Sequence, residues 1–265
     1  MLNLQHIHKI FNEGTPDEKI ALNHINLTLE AGDFVTIIGS NGAGKSTMMN
    51  MISGALTPDV GSITINHKDV TALPEYKRSK YIGRVFQDPM AGTAPTMTIQ
   101  ENLALAYSRN KPRGLRSGVS KARKEIFLTA LESLHLNLEN RLNAKVGMLS
   151  GGERQALSLL MATFTKPDIL LLDEHTAALD PSRAALITGL TKELVEKDQL
   201  TTLMITHDMQ QAIDLGNHLI MMDKGQIILE VSPEDKKNLT IEDLMNEFQR
   251  IRGEKMVSDR ALLST

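Results

Sequence analysis

The chain has 265 residues, 41% of them hydrophobic and 23% charged, with a net charge of −3. That composition excludes a fully disordered chain, a collagen-like chain and a disulfide scaffold. With no cysteine there is also no thiolate nucleophile and no cysteine-ligated zinc. The mild acidity and the 3% aromatic content without tryptophan give no reason to expect a nucleic-acid partner.

In chain order, Ile25, Leu27 and Leu29 alternate with Asn26, Thr28 and Glu30, the pattern of a half-buried antiparallel strand. Phe34 to Ile38 is a continuous apolar run ending at Gly39, as in a strand buried on both faces. A helix is predicted over Lys45–Ser53, stopped by Gly54. Strands follow at Ile63–Ile65 and Ile82–Phe86, and Pro89 ends regular structure. From about Pro95 to Thr165 the reading is helical. Ile126, Phe127, Ala130, Leu131 and Leu134 form an apolar stripe, and Ser120 is placed to cap their helix. Arg109 to Arg123, with Lys111, Arg113, Arg116 and Lys121, reads as a solvated basic loop. Strands are predicted at Ile169–Leu172 and Thr201–Thr206. A hairpin turns at Asp223-Lys224-Gly225 between Leu219–Met222 and Gln226–Leu229. Ile241–Ile251 is an amphipathic helix, with a fraying tail expected beyond Gly253. Strands alternating with helices specify an α/β core carrying a helical insertion at about 89–165. No apolar run nears the roughly 20 residues of a bilayer span. Met1-Leu2-Asn3-Leu4-Gln5-His6 lacks the regions of a signal peptide. A chain that is neither exported by that route nor integral to a membrane is therefore expected.

Two motifs carry chemistry. Gly39-Ser40-Asn41-Gly42-Ala43-Gly44-Lys45-Ser46 fits G-x-x-x-x-G-K-[ST] between a buried strand and a helix. Glycines let the backbone close around a phosphate, successive N–H groups form an anion nest, and the helix N-terminus adds its dipole. Ser40, Asn41, Gly42, Ala43, Gly44, Lys45, Ser46 and Thr47 are the candidate phosphate-binding residues. Lys45 would face the β- and γ-phosphates, and Ser46 would offer a hydroxyl to Mg²⁺. The second motif is the apolar strand that ends in Asp173-Glu174. Such a strand delivers its last residues to the crevice where α/β folds bind ligands. Asp173 would face Mg²⁺ and Glu174 would act as general base toward water. Taken alone, the pair would read as two surface acids at a strand end; the phosphate loop overturns that reading.

At Leu149-Ser150-Gly151-Gly152-Glu153 the chain resembles the LSGGQ signature of ATP-binding cassette (ABC) ATPases. The remaining motifs of that family follow in its order across residues 2 to 235. Phe11 stands where the family stacks an aromatic on adenine, Gln87 at the Q-loop, Ala178-Leu179-Asp180 at the D-loop and His207 at the switch histidine. Two departures are present: Glu153 replaces the signature glutamine, and His175 stands where many relatives have proline. No role for His175 is legible.

The resemblance implies a P-loop ABC-type domain over 1–235, with an antiparallel β subdomain and the inserted helices, and a C-terminal helical tail over 236–265. It implies ATP and Mg²⁺ as cofactors, with Ser46, Gln87 and Asp173 toward the metal and Glu174, His207 and Gln87 in catalysis. Phe11 and the signature's Ser150, Gly151 and Gly152 would contact nucleotide. Lys45 and Ser150 lie on different faces, so the implied assembly is a head-to-tail homodimer around two ATP molecules. The implied setting is the cytoplasmic face of the membrane, bound to a permease, with a separate solute-binding protein and no nucleic acid. Import of small solutes such as amino acids is the favoured reading, and Phe11 to Lys19 with Asp173-Glu174-His175 resembles a bacterial subfamily of aromatic amino acid importers; export or lipoprotein release, or a soluble ATPase acting on ribosomes or DNA, are the alternatives. An exposed apolar patch at Met97, Ile99, Leu103 and Tyr107, with Leu103 the one most prone to pack inside, is expected beside a permease-docking segment at Asp88–Thr98.

Overall fold

The computed structural model describes residues 1–109, 111 and 118–262, except for the side chains of 251, 252 and 254–262. Arg113 and Arg116 of the expected basic loop lie outside the described residues.

An antiparallel sheet is built from β1 (Leu2–Phe11), β2 (Lys19–Leu29), β4 (Val60–Ile65) and β5 (Lys68–Asp69), in the order β2-β1-β4-β5. A second sheet holds β3 (Phe34–Gly39), β6 (Ile82–Val85), β7 (Ile169–Asp173), β8 (Thr201–Ile205), β9 (His218–Asp223) and β10 (Gln226–Val231). Its order is β10-β9-β3-β8-β7-β6. All neighbours in it are parallel except the β9–β10 hairpin. Non-consecutive neighbours require crossovers, so helices cover the sheet and its strands are apolar on both sides. Strand β7 illustrates this. Ile169 and Leu171 enter the core shared with the antiparallel sheet, while Leu170 and Leu172 enter the core shared with the helices.

Helix α1 (Lys45–Ser53) lies in the first of these cores, burying Met48, Met49, Met51 and Ile52. Its C-terminal end is closed twice. Gly54 takes the left-handed conformation at φ 85°. The fully buried Arg78, from α2 (Glu75–Arg78), donates from Nη1 to the Met51 and Ile52 carbonyls at 2.6 and 3.0 Å. A cation there also opposes the negative end of the helix dipole.

Between β6 and β7 the chain makes α3 (Ile99–Tyr107), α4 (Lys121–Glu132), two short 3₁₀ turns and α5 (Gly151–Thr163). Ser120 caps α4 as expected. Phe127, Leu131 and Leu134 are buried, but Ile126 is exposed and does not belong to the core stripe. The expected surface patch is likewise corrected. Ile99 is as fully buried as Leu103, and Tyr107 packs edge-on against Phe127 and Phe164. Buried Asn102 holds the preceding segment down, bonding both the N–H and the C=O of Ala94 and the Thr98 carbonyl. After β7 come α6 (Pro181–Asp198), which has no counterpart in the sequence prediction, and α7 (Met209–Asp214).

The boundary expected at 235/236 falls inside α8 (Pro233–Lys236), which is tied to the sheet. Lys236 is buried and donates to Thr36 Oγ1, the His218 carbonyl and the Leu215 carbonyl. Burial lowers its pKa to about 8, against the attraction of Asp214. Helix α9 (Ile241–Leu262) follows. It runs beyond the predicted stop near Gly253, and Leu244 packs with Ile38, Leu219 and Val231. Among the described residues no helix is long and apolar enough to cross a membrane.

Candidate nucleotide site

The loop between β3 and α1 is shaped by glycines where no other residue fits. Gly39 has φ 148°, and a Cβ there would stand 2.1 Å from the Met222 carbonyl oxygen. Gly44 has φ 100°, and a Cβ would meet the Ala21 carbonyl oxygen at 2.5 Å. The N-terminus of α1 therefore carries no side-chain cap and no acid in its first turn. Its first N–H groups have no partner within the helix. Lys45 is buried, and its ammonium folds back onto the Gly39 and Ser40 carbonyls at 2.8 and 3.0 Å. Burial lowers its pKa, and Glu174 and Asp173 pull the other way.

Phe11, Asn41, Gly42, Ala43, Gly44, Lys45, Ser46, Thr47 and Glu174 line one cavity of about 290 Å³ with Lys19 and Ala21. That brings together the aromatic from β1, the phosphate loop and the carboxylate from the end of β7. Ser40 is turned away from this lining, its hydroxyl donating to Asp223 Oδ1 at 2.9 Å.

Glu174 is aimed by backbone geometry. It has φ 47°, an uncommon left-handed position for a side-chain-bearing residue, and its N–H bonds the Ile205 carbonyl. The Glu174 carboxylate meets His207 Nε2 at 2.6 Å. The Glu174 side chain is 13% exposed and that of His207 46%. An enclosed carboxylate and a histidine open to solvent thus form one dyad beside the phosphate loop. His207 follows β8, and the next residue, Asp208, caps α7. Asp173 accepts from Arg84 Nη2 at 3.2 Å. Gln87 is exposed just past β6, whose end is pinned by Gln155 donating to the Phe86 carbonyl at 3.3 Å. Gln87 does not line the cavity.

His175 is a different kind of histidine. It is buried, and burial lowers its pKa to about 4, so it is neutral at pH 7. Its Nε2 lies 2.9 Å from Thr191 Oγ1, which itself donates to the Ile187 carbonyl. A hydroxyl has one proton to give, so Nε2 carries the donor proton and His175 ties the Asp173–Asp180 turn to α6.

The signature stands apart from the cavity. Ser150 caps α5, accepting from the Glu153 N–H, while the Glu153 carboxylate accepts from the Ser150 N–H at 2.7 Å. Arg141 Nη1 holds the other Glu153 oxygen at 2.6 Å. The N-terminus of α5 sits beside the turn before α6, so that a Cβ on Gly151 would lie 3.5 Å from Leu179. Neither Ser150 nor the signature glycines line the cavity.

Three nearby residues escape sequence reasoning. Lys19 adds a cation to the lining, Asp223 holds Ser40, and Arg84 pairs with Asp173. The available signal for Arg84 was a lone charge inside an apolar strand.

The ABC transporter family matches residues 22–177. The tyrosine transport ATP-binding protein of Clostridioides difficile is 41% identical over 249 residues, covering 94% of this chain and 99% of that one. The spermidine/putrescine import ATP-binding protein PotA of Lawsonia intracellularis is 31% identical over 96% of this chain, which spans 65% of that longer protein. Among solved structures, the dimeric post-hydrolysis state of the ATP-binding cassette MJ0796, bound to ADP and Pi, superposes with a TM-score of 0.75 at 32% identity. It covers 88% of this chain and 99% of that one. The ADP conformation of the cassette MJ1267 superposes at 0.74 and 31% identity, covering 90% and 93%. The match over more than half the chain, together with a relative aligned along its whole length, makes this protein a member of the ABC transporter family and its fold that of an ATP-hydrolysing cassette.

Proposed function

We propose that the chain is the ATPase subunit of a bacterial importer of amino acids, with tyrosine and its aromatic relatives as the cargo class. The observation that carries the catalytic part is the Glu174–His207 dyad at 2.6 Å, set beside Lys45 and a glycine loop with a bare helix N-terminus. The cargo part rests on likeness to the tyrosine transport protein over almost its full length.

The donor set suits Mg²⁺. Among the described residues no cluster of three or more acidic or histidine side chains forms a cage. None is needed, because Mg²⁺ bound with phosphates takes only one or two protein carboxylates. Asp173 and the Ser46 hydroxyl would hold it, Gln87 would approach it from the loop after β6, and it would neutralise charge on the phosphates. Phe11 would stack on the adenine, and residues 40–47 would cradle the phosphates. Glu174 accepts a proton from water, and His207, oriented by Glu174, donates toward the γ-phosphate. Two such chains, head to tail, place Ser150, Gly151 and Gly152 of one against the nucleotide held by Lys45 of the other. The dimeric, ADP- and Pi-bound state of the cassette MJ0796 supports the pairing of two such chains.

A membrane permease receives the motion, and a separate solute-binding protein delivers cargo to it. The docking surface is the groove of about 730 Å³ lined by Tyr76, Ala91, Gly92, Ala94, Leu105 and Arg109, next to the loop carrying Gln87. Docked there, the chain would sit peripherally at the cytoplasmic face.

Glu174→Gln should retain ATP binding while hydrolysis slows by about 10²–10⁴. Unchanged turnover would contradict the assignment of the base. Uptake of labelled tyrosine by cells lacking the chain should fall, and uptake of spermidine should not; the reverse result would overturn the cargo class.

A further inference from the structure

Arg84 is the one charged residue of β6, a strand otherwise made of Ile82, Gly83 and Val85. In the parallel pairing of β6 and β7 it lies opposite Leu171, two residues before Asp173. Its guanidinium therefore reaches forward along the neighbouring strand. Nη2 stands 3.2 Å from Asp173 Oδ2, Nη1 donates to Ser53 Oγ at 3.2 Å, and the group lies 4.7 Å from the centre of the Phe86 ring. The Arg84 and Asp173 side chains are only 12% and 15% exposed, so water screens the pair weakly.

The pairing is incomplete. Arginine can grip a carboxylate with two parallel N–H groups, yet here one nitrogen meets one oxygen at a long distance. Arg84 Nε is buried without a hydrogen-bond partner among the described residues. Buried arginines that serve only the fold satisfy their donors, as Arg78 does with four carbonyl contacts. Arg84 instead meets its neighbours through single contacts and an aromatic face, which can be exchanged without leaving a fixed network broken.

We propose that Arg84 holds the position of positive charge at Asp173 in the nucleotide-free chain, and that Mg²⁺ arriving with ATP competes with it for that carboxylate. Arg84 is then a positioning residue that sets how much Mg²⁺ the site needs. It keeps Asp173 compensated and directed at the phosphate loop while the cation is away. Arg84 does not line the nucleotide cavity, so it acts through Asp173 and not through the phosphates. This rests on the reading that Asp173 faces Mg²⁺.

The test uses the full chain as wild type, Arg84→Met and Arg84→Lys. Binding of a fluorescent ATP analogue is measured first in excess chelator, then as Mg²⁺ is added at fixed nucleotide. Mn²⁺ binding by electron paramagnetic resonance gives a readout independent of hydrolysis. Arg84→Met should bind nucleotide without metal within about twofold of wild type. Its half-saturating Mg²⁺ and Mn²⁺ should fall roughly three- to tenfold, the scale of one net hydrogen bond. Arg84→Lys keeps the charge and loses the planar contact with Phe86, so its requirement should fall by less. An unchanged or increased metal requirement in folded Arg84→Met overturns the proposal. If that variant does not fold, an unchanged or increased requirement in Arg84→Lys does so. A wild-type chain indifferent to Mg²⁺ would overturn the metal reading of Asp173 itself, a failure visible before any variant is compared.

Discussion

Two helix N-termini in this molecule point to opposite solutions of the same problem. That of α1 is left bare: Gly44 in a left-handed conformation offers no cap, the first turn has no acid, and Lys45 waits on two carbonyls. That of α5 is closed by a capping box, with Glu153 in the first turn and Arg141 holding it. A bare N-terminus with a cation beside it is ready for phosphate. A capped one is not, because the carboxylate already opposes the positive end of the dipole. Only the Gly151 and Gly152 N–H groups, without partners inside the helix, stay available. On the function proposed above, the first end binds ATP alone. On the same proposal, the second contributes only once another molecule brings the nucleotide to it.

The largest effect should come from breaking the bare end. Lys45→Ala removes the ammonium proposed to face the phosphates, and hydrolysis should fall by at least about 10². Near-normal turnover in a steady-state assay would remove the first half of the contrast.

Ser150→Ala sharpens the contrast at the other end. Loss of the cap should cost about 1 kcal/mol, which lowers the melting temperature by about 2–4 °C. Nucleotide affinity of the isolated chain should stay within about twofold, since Ser150 does not line the cavity, while ATP-dependent dimerisation weakens. Affinity falling as steeply as in Lys45→Ala would mean that the two ends share one site.

The smallest effect concerns Glu153. Burial pushes its pKa up, but the Ser150 N–H and hydroxyl and the Arg141 guanidinium outweigh that and hold it below the ordinary range. A depressed folded-state value stabilises the fold above the unfolded pKa, and that stabilisation is lost as pH falls through the folded one. Glu153→Gln keeps a capping-box acceptor but does not titrate. Thermal melts from neutral to acidic pH should show wild type losing slightly more stability than the variant. Identical pH dependence would mean that Arg141 and the cap do not favour the charged form.

How much of this was legible depended on whether the signal was local. Lys45–Ser53 and its Gly54 stop are read correctly because glycines and a short apolar helix fix them within a dozen residues. Strand β1 escaped because its pairing slips between Leu4 and Ile7 and again before Lys9, with His6 at φ 52°. The two-residue alternation a reader looks for is broken there. Ile126 fits the helical period, yet the core ends beside it, at Phe127 and Leu131. The Glu174–His207 dyad was readable only through motif resemblance, since its members are 33 positions apart with a whole helix between them. The Arg84–Asp173 pair joins strands 89 positions apart with no motif at all.

A mixing experiment tests most directly whether the two N-termini act between molecules. Lys45→Ala spoils the bare end of one chain. Gly151→Asp spoils the capped end of another by placing a carboxylate against phosphate. A side chain is tolerated at Gly151, where a Cβ meets only Leu179 at an ordinary 3.5 Å. Each variant alone should be nearly inactive. Head-to-tail assembly predicts that mixing them restores hydrolysis, because the heterodimer contains one site with Lys45 from one chain and Gly151 from the other. A mixture no more active than the sum of its parts would contradict it.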